Sequence, residues 1–539
     1  MRRLALLLGL MGCGEAHVEE ASVVAPAPVV EAAAPAPPGP IAPATKLVAF
    51  HPDDLAGDLS AVTELDLAFS PTDRLERRAG LDDPRSYEQA CAGLDLTQLA
   101  TRAPAVTTLR VSGCQSAVHV GLGDFKGVTA LELVDLTLDG VTMGRVASLP
   151  ALQSLTLVRV KPGAESAVLG RLGISALVLR DLDEDSPLAG VIGQAPQLRT
   201  LALEGAWAGH DTMLVVPKAS KLQAIRLIDT RVGNFSLHQL KPLLELQTIH
   251  WQGTTFNDYS PLYVRDLPLR AFTCACPGLG DAGLKVLGRQ RGLRALALPQ
   301  SKITGAGLAT LDKLDRLATV EILKRDIGAD GMAALTALPA LTELSLSVAG
   351  PLADPMLEHL GELAGLRRLA LDMPALDDRA APQLAPLRQL ERLALGGTKI
   401  SDTGLKALAG LTELVQLELH HTRVTNRGLT HLAKLTRLQT LELDHTDLID
   451  DGVAHLAGLT EMRALRLDKT LITDAALPHL LRMTKLERLN LAETVVTDAG
   501  VDLLRQLPAL RSVNLAGTRA GPRGRDDASQ AGRPPASGS

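Results

Sequence analysis

One short phrase returns at a constant interval through the last quarter of the chain. Its copies start at Leu393, Leu417, Leu441, Leu465, Leu489 and Val513. Each reads Leu-x-Leu-x-x-Thr-x-hydrophobic or a close variant, and most continue with Asp-x-Gly-Leu or a near copy, then a leucine at every third position. A regular period of about 24 residues predicts a solenoid, in which each coil buries its apolar side against its neighbours. Such a chain is expected to present a surface for recognition rather than a catalytic pocket.

The same register continues towards the N-terminus in less regular copies. These start at Leu109, Leu131, Leu155, Leu177, Leu201, Ile225, Ile249, Phe272, Leu296, Val320, Leu344 and Leu369. An earlier strand is predicted at Leu65-Asp-Leu67. We count about nineteen strands in this register. The steps between copies differ from the regular one by at most two residues, which is tolerated because the extra or missing residues fall in loops.

Each repeat is predicted to contain one strand and one short helix. In Leu-x-Leu the two leucines point to the same side of a strand. The spacing of Leu405, Leu408 and Leu411 is near-helical, so these leucines meet the strand leucines in a shared core. Asp402 and its equivalents are expected to cap the first amides of their own helices. Because parallel strands need a crossover, the fold class is an α/β solenoid with a parallel sheet on the concave side and short helices on the convex side.

The strand phrase resembles that of the leucine-rich repeat family. Leu414-x-x-Leu417-x-Leu419-x-x-Thr422-x-Val424 matches the family's phrase with Thr in place of its Asn. The resemblance covers roughly residues 65–518. It implies a horseshoe-shaped leucine-rich repeat solenoid, and a hydroxyl in place of the Asn can bond to adjacent backbone.

The N-terminal sequence predicts a targeting signal. Met1-Arg-Arg precedes an apolar run, residues 4–10, which is too short to span a bilayer. The run ends in Leu10-Met11-Gly12-Cys13, which resembles the bacterial lipobox. We therefore predict a lipoprotein signal peptide at residues 1–12 and lipidation of Cys13, with an ordinary secretory signal as the alternative. Gly14 after the cysteine favours the outer membrane of the bacterial cell envelope as the destination.

Composition divides the rest of the chain. Residues 13–45 are rich in Ala and Pro and are predicted to form a tether behind the lipidated cysteine. We assign an N-terminal cap with degenerate repeats to residues 46–108, the solenoid to 109–518 and a disordered tail to 519–539. The net charge of −6 is small for 539 residues and argues against a nucleic-acid partner. We expect a monomer.

Other cysteines and three aromatic residues are further candidates for structural or binding roles. An oxidising compartment permits a disulfide between Cys91 and Cys114, although Cys114 also stands at the repeat's Asn place. Cys274 replaces a strand leucine and is expected to be a small buried residue. Trp207, Phe235 and Tyr259 are expected in connecting loops, where they either pack or form a binding anchor.

The candidate binding surface is a set of polar residues in and just after three adjacent strands. Its members are Glu418, His420, His421, Glu442, Asp444, His445, Arg466, Asp468 and Lys469. Strand spacing of about 4.8 Å lets such side chains touch. We interpret them as a partner-binding patch on the concave face, with a merely solvated face and a metal site as the alternatives. A second column, His431, His455 and His479, is expected on the convex side.

No catalytic motif was found. The chain has no Gly-x-Ser-x-Gly, no phosphate-binding loop and no His-Glu-x-x-His. We therefore predict a membrane-anchored, non-enzymatic protein that binds a protein partner, with no cofactor and no metal. The alternatives are an envelope protein that binds polysaccharide or peptidoglycan and a metal-dependent enzyme using the histidine patch.

Overall fold

The computed structural model describes residues 45–49, 52–55, 58–69, 91, 94–163, 166–184, 186–324, 327–348 and 354–521. All of them lie within one unit of the chain, Ala44–Ser539. Cys13, the predicted signal peptide and nearly all of the tether lie outside the described residues. The predicted tail is described only as far as residue 521.

Within the described residues, twenty strands form one sheet in which every strand pairs in parallel with the next strand of that sheet along the chain. These strands are Thr45–Ala49, Val62–Ala68, Thr108–Ser112, Ala130–Val134, Ser154–Val158, Ala176–Arg180, Thr200–Glu204, Ala224–Ile228, Thr248–Gln252, Ala271–Ala275, Ala295–Ala297, Thr319–Ile322, Glu343–Ser347, Arg368–Asp372, Arg392–Ala394, Gln416–Glu418, Thr440–Glu442, Ala464–Arg466, Arg488–Asn490 and Ser512–Asn514. Two short strands, Thr137–Leu138 and Lys161–Pro162, pair separately.

Short helices connect successive strands. The α-helices are Leu96–Arg102, Gln115–Gly121, Gly140–Ala147, Ala189–Ile192, His210–Val215, Asn234–Leu237, Asp281–Leu287, Gly305–Leu308, Gly328–Thr336, Asp354–Glu358, Ala381–Leu384, Asp402–Leu408, Asn426–Leu429, Asp450–Ala454, Leu477–Leu480 and Asp498–Leu504. The 3-10 helices are Pro52–Leu55, Leu122–Asp124, Ser166–Arg171, Val216–Lys218, His238–Leu240, Ser260–Tyr263, Ala309–Leu311, His359–Glu362, Thr430–Lys434 and Asp474–Ala476.

The core follows the predicted register. Leu417, Leu441 and Leu465 pair directly across neighbouring strands, and each is at most 1% exposed. Leu405 and Leu408 of the helix Asp402–Leu408 are also fully buried. The fold is therefore a leucine-rich repeat solenoid, as predicted. The sheet gains one strand over the expected count, because Thr45–Ala49 pairs in parallel with Val62–Ala68.

A threonine closes the turn after each of the last six described strands. Its hydroxyl donates to the carbonyl three residues earlier, for example from Thr422 to Leu419 at 2.6 Å. The same bond forms at Thr398, Thr446, Thr470, Thr494 and Thr518. All these threonines are buried. A buried hydroxyl needs a partner, and this carbonyl supplies one within the same coil.

The aspartates that begin the helices connect one coil to the next. The helix Asp402–Leu408 has Ser401 as its N-cap. Asp402 Oδ1 instead accepts the backbone N–H of Thr425 at 2.8 Å, and Oδ2 accepts its hydroxyl at 2.7 Å. Equivalent pairs join Asp378 to Ser401, Asp450 to Thr473 and Asp474 to Thr497. We call this pair of bonds the inter-coil clamp.

The clamp corrects one prediction and explains a glycine. The expectation that Asp402 caps its own helix is wrong, because its side chain leaves that helix and reaches the next coil. A Cβ on Gly428 would collide with Asp402 Oδ1, and a Cβ on Gly500 would collide with Asp474 Oδ1. The glycine of the Asp-x-Gly phrase therefore makes room for the aspartate of the preceding coil.

Candidate functional site

The nine predicted residues come together on the sheet face, which we define as the outward side of the strands. Glu418, Glu442 and Arg466 are direct neighbours across three parallel strands. His420, Asp444 and Asp468 follow two residues later, and His421, His445 and Lys469 come next. We call these nine residues the polar cluster. Its charged members are four carboxylates and two cations.

Arg466 ties the acidic residues of the polar cluster together. Its Nη1 lies 3.3 Å from Glu442 Oε2. Its Nη2 and Nε lie 3.4 Å from Asp444 Oδ2 and 3.5 Å from Asp468 Oδ1. Asp444 and Asp468 are only 2% and 7% exposed, although their register predicts outward-facing side chains. Because Arg466 pairs with two buried aspartates, its side chain contributes to the stability of the fold and is also exposed at the surface.

A left-handed backbone position orients the last column of the polar cluster. His421, His445 and Lys469 have φ of 53°, 54° and 54°. Their amides extend the ladder beyond the assigned strands, since His421 N–H donates to the Asp444 carbonyl at 3.0 Å and His445 N–H to the Asp468 carbonyl at 3.1 Å. Gly397 and Gly517 occupy the same position in other coils, with φ of 72° and 71°. The repeat thus holds His421, His445 and Lys469 in a backbone conformation that usually favours glycine.

The two histidines of this column stack on each other. The ring centroids of His421 and His445 are 3.8 Å apart, with 19° between the ring planes. His445 Nδ1 lies 3.2 Å from Asp444 Oδ2. Burial lowers the pKa of His421, and the neighbouring His445 and His420 lower it further. His421 is therefore expected to stay neutral at a lower pH than a free histidine.

The acidic side of the polar cluster is also electrostatically coupled. Burial raises the pKa of Glu442, and the charge of Glu418 raises it further against the opposing effect of Arg466. For Arg466, burial acts to lower the pKa, but Asp444, Glu442 and Asp468 together raise it. We expect these closely spaced carboxylates to attract an incoming cation or basic group.

Two sets of potential ligand atoms lie within the polar cluster. The first is His421, Asp444 and His445, and the second is Glu418, His420 and Glu442. Within each set, one ligand atom from every residue lies within 4.8 Å of the others. Asp444 Oδ1 and His420 Nδ1 are buried and have no hydrogen-bond partner. Gly396 gives the His420 ring its space, because a Cβ there would overlap the imidazole.

A shallow trough borders the polar cluster on the sheet face. Its floor consists of small outward residues, Ser345, Ala370 and Ala394, and Arg368 and Arg392 line one side. Arg368 Nη2 donates to Glu343 Oε2 at 2.6 Å. The face therefore changes from small side chains to dense charge within a few strands.

A second polar group on the sheet face was not predicted. Glu204 is 8% exposed and accepts from Arg180 Nε at 2.5 Å. Arg226 Nη2 lies 3.7 Å from its other carboxylate oxygen. Next to Arg226, burial and the Arg226 charge lower the pKa of His250 to about 4. The signal that could have found this group is the spacing of one repeat that separates Arg180 from Glu204 and Arg226 from His250.

The four cysteines of the described residues form two disulfides. Cys91 and Cys114 are joined, with their Cα atoms 5.0 Å apart. Cys274 and Cys276 are also joined, and both are fully buried in or beside the strand Ala271–Ala275. The expectation for Cys274 was correct in its burial but missed its bond. Residues two apart on a strand point to the same side, so this pair meets without leaving the core.

The aromatic residues divide into core and surface. Trp251 stacks on Phe256 with centroids 5.1 Å apart, and Phe272 meets it edge-on. Trp207 is buried and donates from Nε1 to the Glu204 carbonyl at 2.8 Å. Phe235 and Tyr259 are 76% and 68% exposed. Of the three predicted loop aromatics, only these two are available at the surface.

The helix side carries the other histidine column. His431 lies in the 3-10 helix Thr430–Lys434, His455 ends the helix Asp450–Ala454 and His479 lies in Leu477–Leu480. All three are at least partly exposed. Within the described residues, no helix combines the length and the apolar composition required to cross a bilayer.

Several solved structures are similar to this chain at low sequence identity. An internalin from Listeria monocytogenes has 17% identity over 74% of this chain and 89% of its own, with a TM-score of 0.33. A leucine-rich repeat protein from Leptospira interrogans has 17% identity over 76% and 98%, with a TM-score of 0.41. The ectodomain of a plant membrane receptor kinase from Arabidopsis thaliana has 18% identity over 78% and 54%, with a TM-score of 0.38. No family model matches the chain, and no curated protein is similar to it in sequence.

Proposed function

We propose that this chain is a non-enzymatic binding protein whose sheet face holds a protein partner at the polar cluster. The observation that carries the proposal is the convergence of nine polar side chains from three adjacent coils, next to a trough of small residues. Charged side chains packed this closely on a long open sheet suit recognition of a complementary surface. The trough offers room for side chains that the partner contributes.

The partner surface is expected to be basic. Four carboxylates of the polar cluster face two cations, and Arg466 is already shared among three of the carboxylates. Lys or Arg side chains of a partner would compensate the remaining negative charge. Complementary charge mainly speeds association and sets specificity.

The first prediction replaces three accessible members of the polar cluster. Glu418, His420 and Glu442 are changed together to Ala, since all three are partly exposed, none pairs with a buried aspartate, and the loss of two carboxylates should weaken attraction to a basic partner. Capture of the native partner by crosslinking from envelope extracts should weaken about tenfold, equivalent to roughly 1.4 kcal/mol. The salt dependence of capture should fall with it.

The matched control is the triple variant His431→Ala, His455→Ala and His479→Ala on the helix side. This variant should capture the partner as the wild type does. Loss of the partner by the helix-side variant, together with retention by the polar-cluster variant, would place the interface on the helices and contradict the proposal.

We further propose that the protein is anchored to the bacterial outer membrane through Cys13. The support is the sequence Leu10-Met11-Gly12-Cys13 and the Ala- and Pro-rich stretch behind it. One acyl chain binds a membrane marginally, whereas several chains hold a protein stably. The tether would lift the solenoid away from the lipid surface.

The second prediction tests the anchor. Cys13→Ser should abolish incorporation of labelled fatty acid and release the protein from membranes, because the thiol is the acylated group. Detergent-free fractionation measures the release, and Cys274→Ser serves as a cysteine control that keeps the label. Equal membrane retention of wild type and Cys13→Ser would rule out lipidation as the anchor.

A further inference from the structure

We propose that His421, Asp444 and His445 bind one divalent transition-metal ion of the Zn²⁺ type. The two histidines occupy the same left-handed position in adjacent coils, and their rings stack with centroids 3.8 Å apart, so each ring must turn about its side-chain bonds for both in-plane lone pairs to point at one ion. A ligand atom from each of the three residues lies within 4.8 Å of the other two. Imidazole nitrogens with one carboxylate oxygen are the donors that Zn²⁺ and its neighbours in the first transition row accept.

The buried carboxylate of Asp444 is the second observation that points to a ligand. Asp444 is 2% exposed, and its Oδ1 is buried without a hydrogen-bond partner. Its other oxygen, Oδ2, already lies near His445 Nδ1 and Arg466 Nη2, at 3.2 and 3.4 Å. An unsatisfied buried carboxylate oxygen is costly in free energy. A cation held between this aspartate and the two imidazoles would satisfy it.

Arg466 both stabilises this arrangement of ligands and competes with the metal ion. Its positive charge disfavours a nearby cation, but Glu442 and Asp468 also contact it and can retain it when Asp444 turns to the ion. Asn490 donates to Asp468 Oδ1 at 2.6 Å and fixes that part of the network. These contacts provide the supporting groups that hold metal ligands in place.

The neighbouring set, Glu418, His420 and Glu442, fits a metal less well. Glu418 Oε1 accepts from Gln416 at 2.7 Å, and Glu442 Oε2 accepts from Arg466 at 3.3 Å. Neither carboxylate has a buried oxygen without a partner. This set also offers one imidazole instead of two, which lowers its affinity for a transition metal relative to a hard cation.

Three protein ligands leave at least one coordination position open. In a tetrahedral site that position takes water or a ligand from another molecule. The ion can be tested without the proposed partner, because the three ligands all belong to this chain.

The test measures binding of Zn²⁺ to the full-length protein after metal removal. Isothermal titration and metal analysis should give one ion per wild-type chain. His421→Ala and His445→Ala should each weaken binding at least about tenfold, the smaller end of the loss seen even for supporting residues. Zn²⁺ should raise the thermal midpoint of the wild type and leave that of a variant carrying both His421→Ala and His445→Ala unchanged.

Two further variants decide where the ion binds. His431→Ala combined with His455→Ala on the helix side should bind Zn²⁺ as the wild type does. Unchanged affinity in His421→Ala and His445→Ala, or a loss caused by His420→Ala instead, would overturn the assignment. Circular dichroism of the metal-free variants checks that each is folded, and histidine variants are used because Asp444→Asn would also disturb Arg466.

Discussion

His250 shows how the sheet face controls the chemistry of a single side chain. Its imidazole lies in the strand Thr248–Gln252, directly opposite Arg226 on the neighbouring strand. Its Nε2 is buried without a hydrogen-bond partner, and burial together with the Arg226 charge lowers the pKa to about 4. The folded protein therefore keeps His250 neutral at a pH where the unfolded chain protonates it.

The third prediction follows from this difference in proton binding. Below the unfolded pKa of about 6.5 the unfolded chain binds the extra proton, so stability is lost as the pH falls towards 4. Above about 6.5 the contribution is fully present. His250→Gln should therefore reduce the loss of thermal midpoint between about pH 7.5 and about pH 5.0, values that lie on either side of about 6.5.

The control for this prediction is His455→Gln, an exposed histidine on the helix side. It should lose stability with acid as the wild type does. If His250→Gln has the same acid dependence as the wild type, then His250 is not the group that titrates.

At the scale of the element, the inter-coil clamp couples three residues of the repeat phrase. Asp402 holds the backbone and hydroxyl of Thr425, and Gly428 leaves the space that the Asp402 side chain fills. Neighbouring coils are therefore joined on the helix side by side-chain bonds and on the sheet side by backbone bonds. Both connections repeat with the same period.

The fourth prediction is a double-mutant cycle on the clamp. Asp402→Ala removes two hydrogen bonds and should cost about 1–2 kcal/mol. Gly428→Ala forces a Cβ against Asp402 Oδ1 and should cost about 1–3 kcal/mol. The double variant should cost less than the sum by at least about 0.5 kcal/mol, because removing the aspartate frees the space that the new methyl needs.

The control combines Gly428→Ala with Asp450→Ala, whose clamp reaches Thr473 instead. Those two effects should add within about 0.5 kcal/mol. Denaturant midpoints give all the values. Strict additivity of Asp402→Ala and Gly428→Ala would show that the two residues do not share that space.

The clamp also marks the limit of what the sequence can predict about an element. The constant period predicts the pairing of Leu417 with Leu441, because only one register buries every leucine. It does not predict where Asp402 points, since an aspartate at a helix start can bond to its own helix or to a neighbour. The strand Thr45–Ala49 was missed for a similar reason, since it lacks the Leu-x-Leu phrase and is recognised only by its pairing.

The sequence predicted which residues of the candidate site lie together, but not how deeply they are buried. The repeat places Glu418, Glu442 and Arg466 at the same position of successive coils and therefore side by side, and the structure agrees. The depth of Asp444 depends on how Arg466 folds over it, which is a contact between side chains and has no signature in the spacing. Glu204 escaped notice because its direct neighbours across the sheet are Arg180 on one side and the aliphatic Ile228 on the other, so no continuous column of charges forms.

At the scale of the whole molecule, stability is distributed along the solenoid rather than gathered in one centre. Each coil is buried only by the coils on either side. The fully buried Leu467 therefore stabilises mainly its own coil and the coils on either side. A defect near the C-terminal end has fewer coils beyond it to hold the chain in place.

The fifth prediction concerns where unfolding begins. Leu467→Ala should cost about 2–5 kcal/mol by leaving a cavity in the core. Hydrogen exchange should increase first in the coils from Ala464–Arg466 to Ser512–Asn514 and leave the early coils protected. The exposed Lys406→Ala should stay within about 0.5 kcal/mol. A uniform increase of exchange along the chain would mean that the solenoid unfolds as one cooperative unit.

The inter-coil clamp has a consequence for how the gene that encodes these repeats can change. Each coil from Ser401 to Thr497 presents a residue that the previous coil holds, and all but the coil of Asn426 also reach forward with an aspartate. An in-frame duplication of the bases that encode one whole repeat would therefore insert a coil whose two ends match those already present. The last quarter of the molecule is therefore suited to lengthen or shorten in whole coils, and the polar cluster keeps its internal spacing when the change falls outside its three coils.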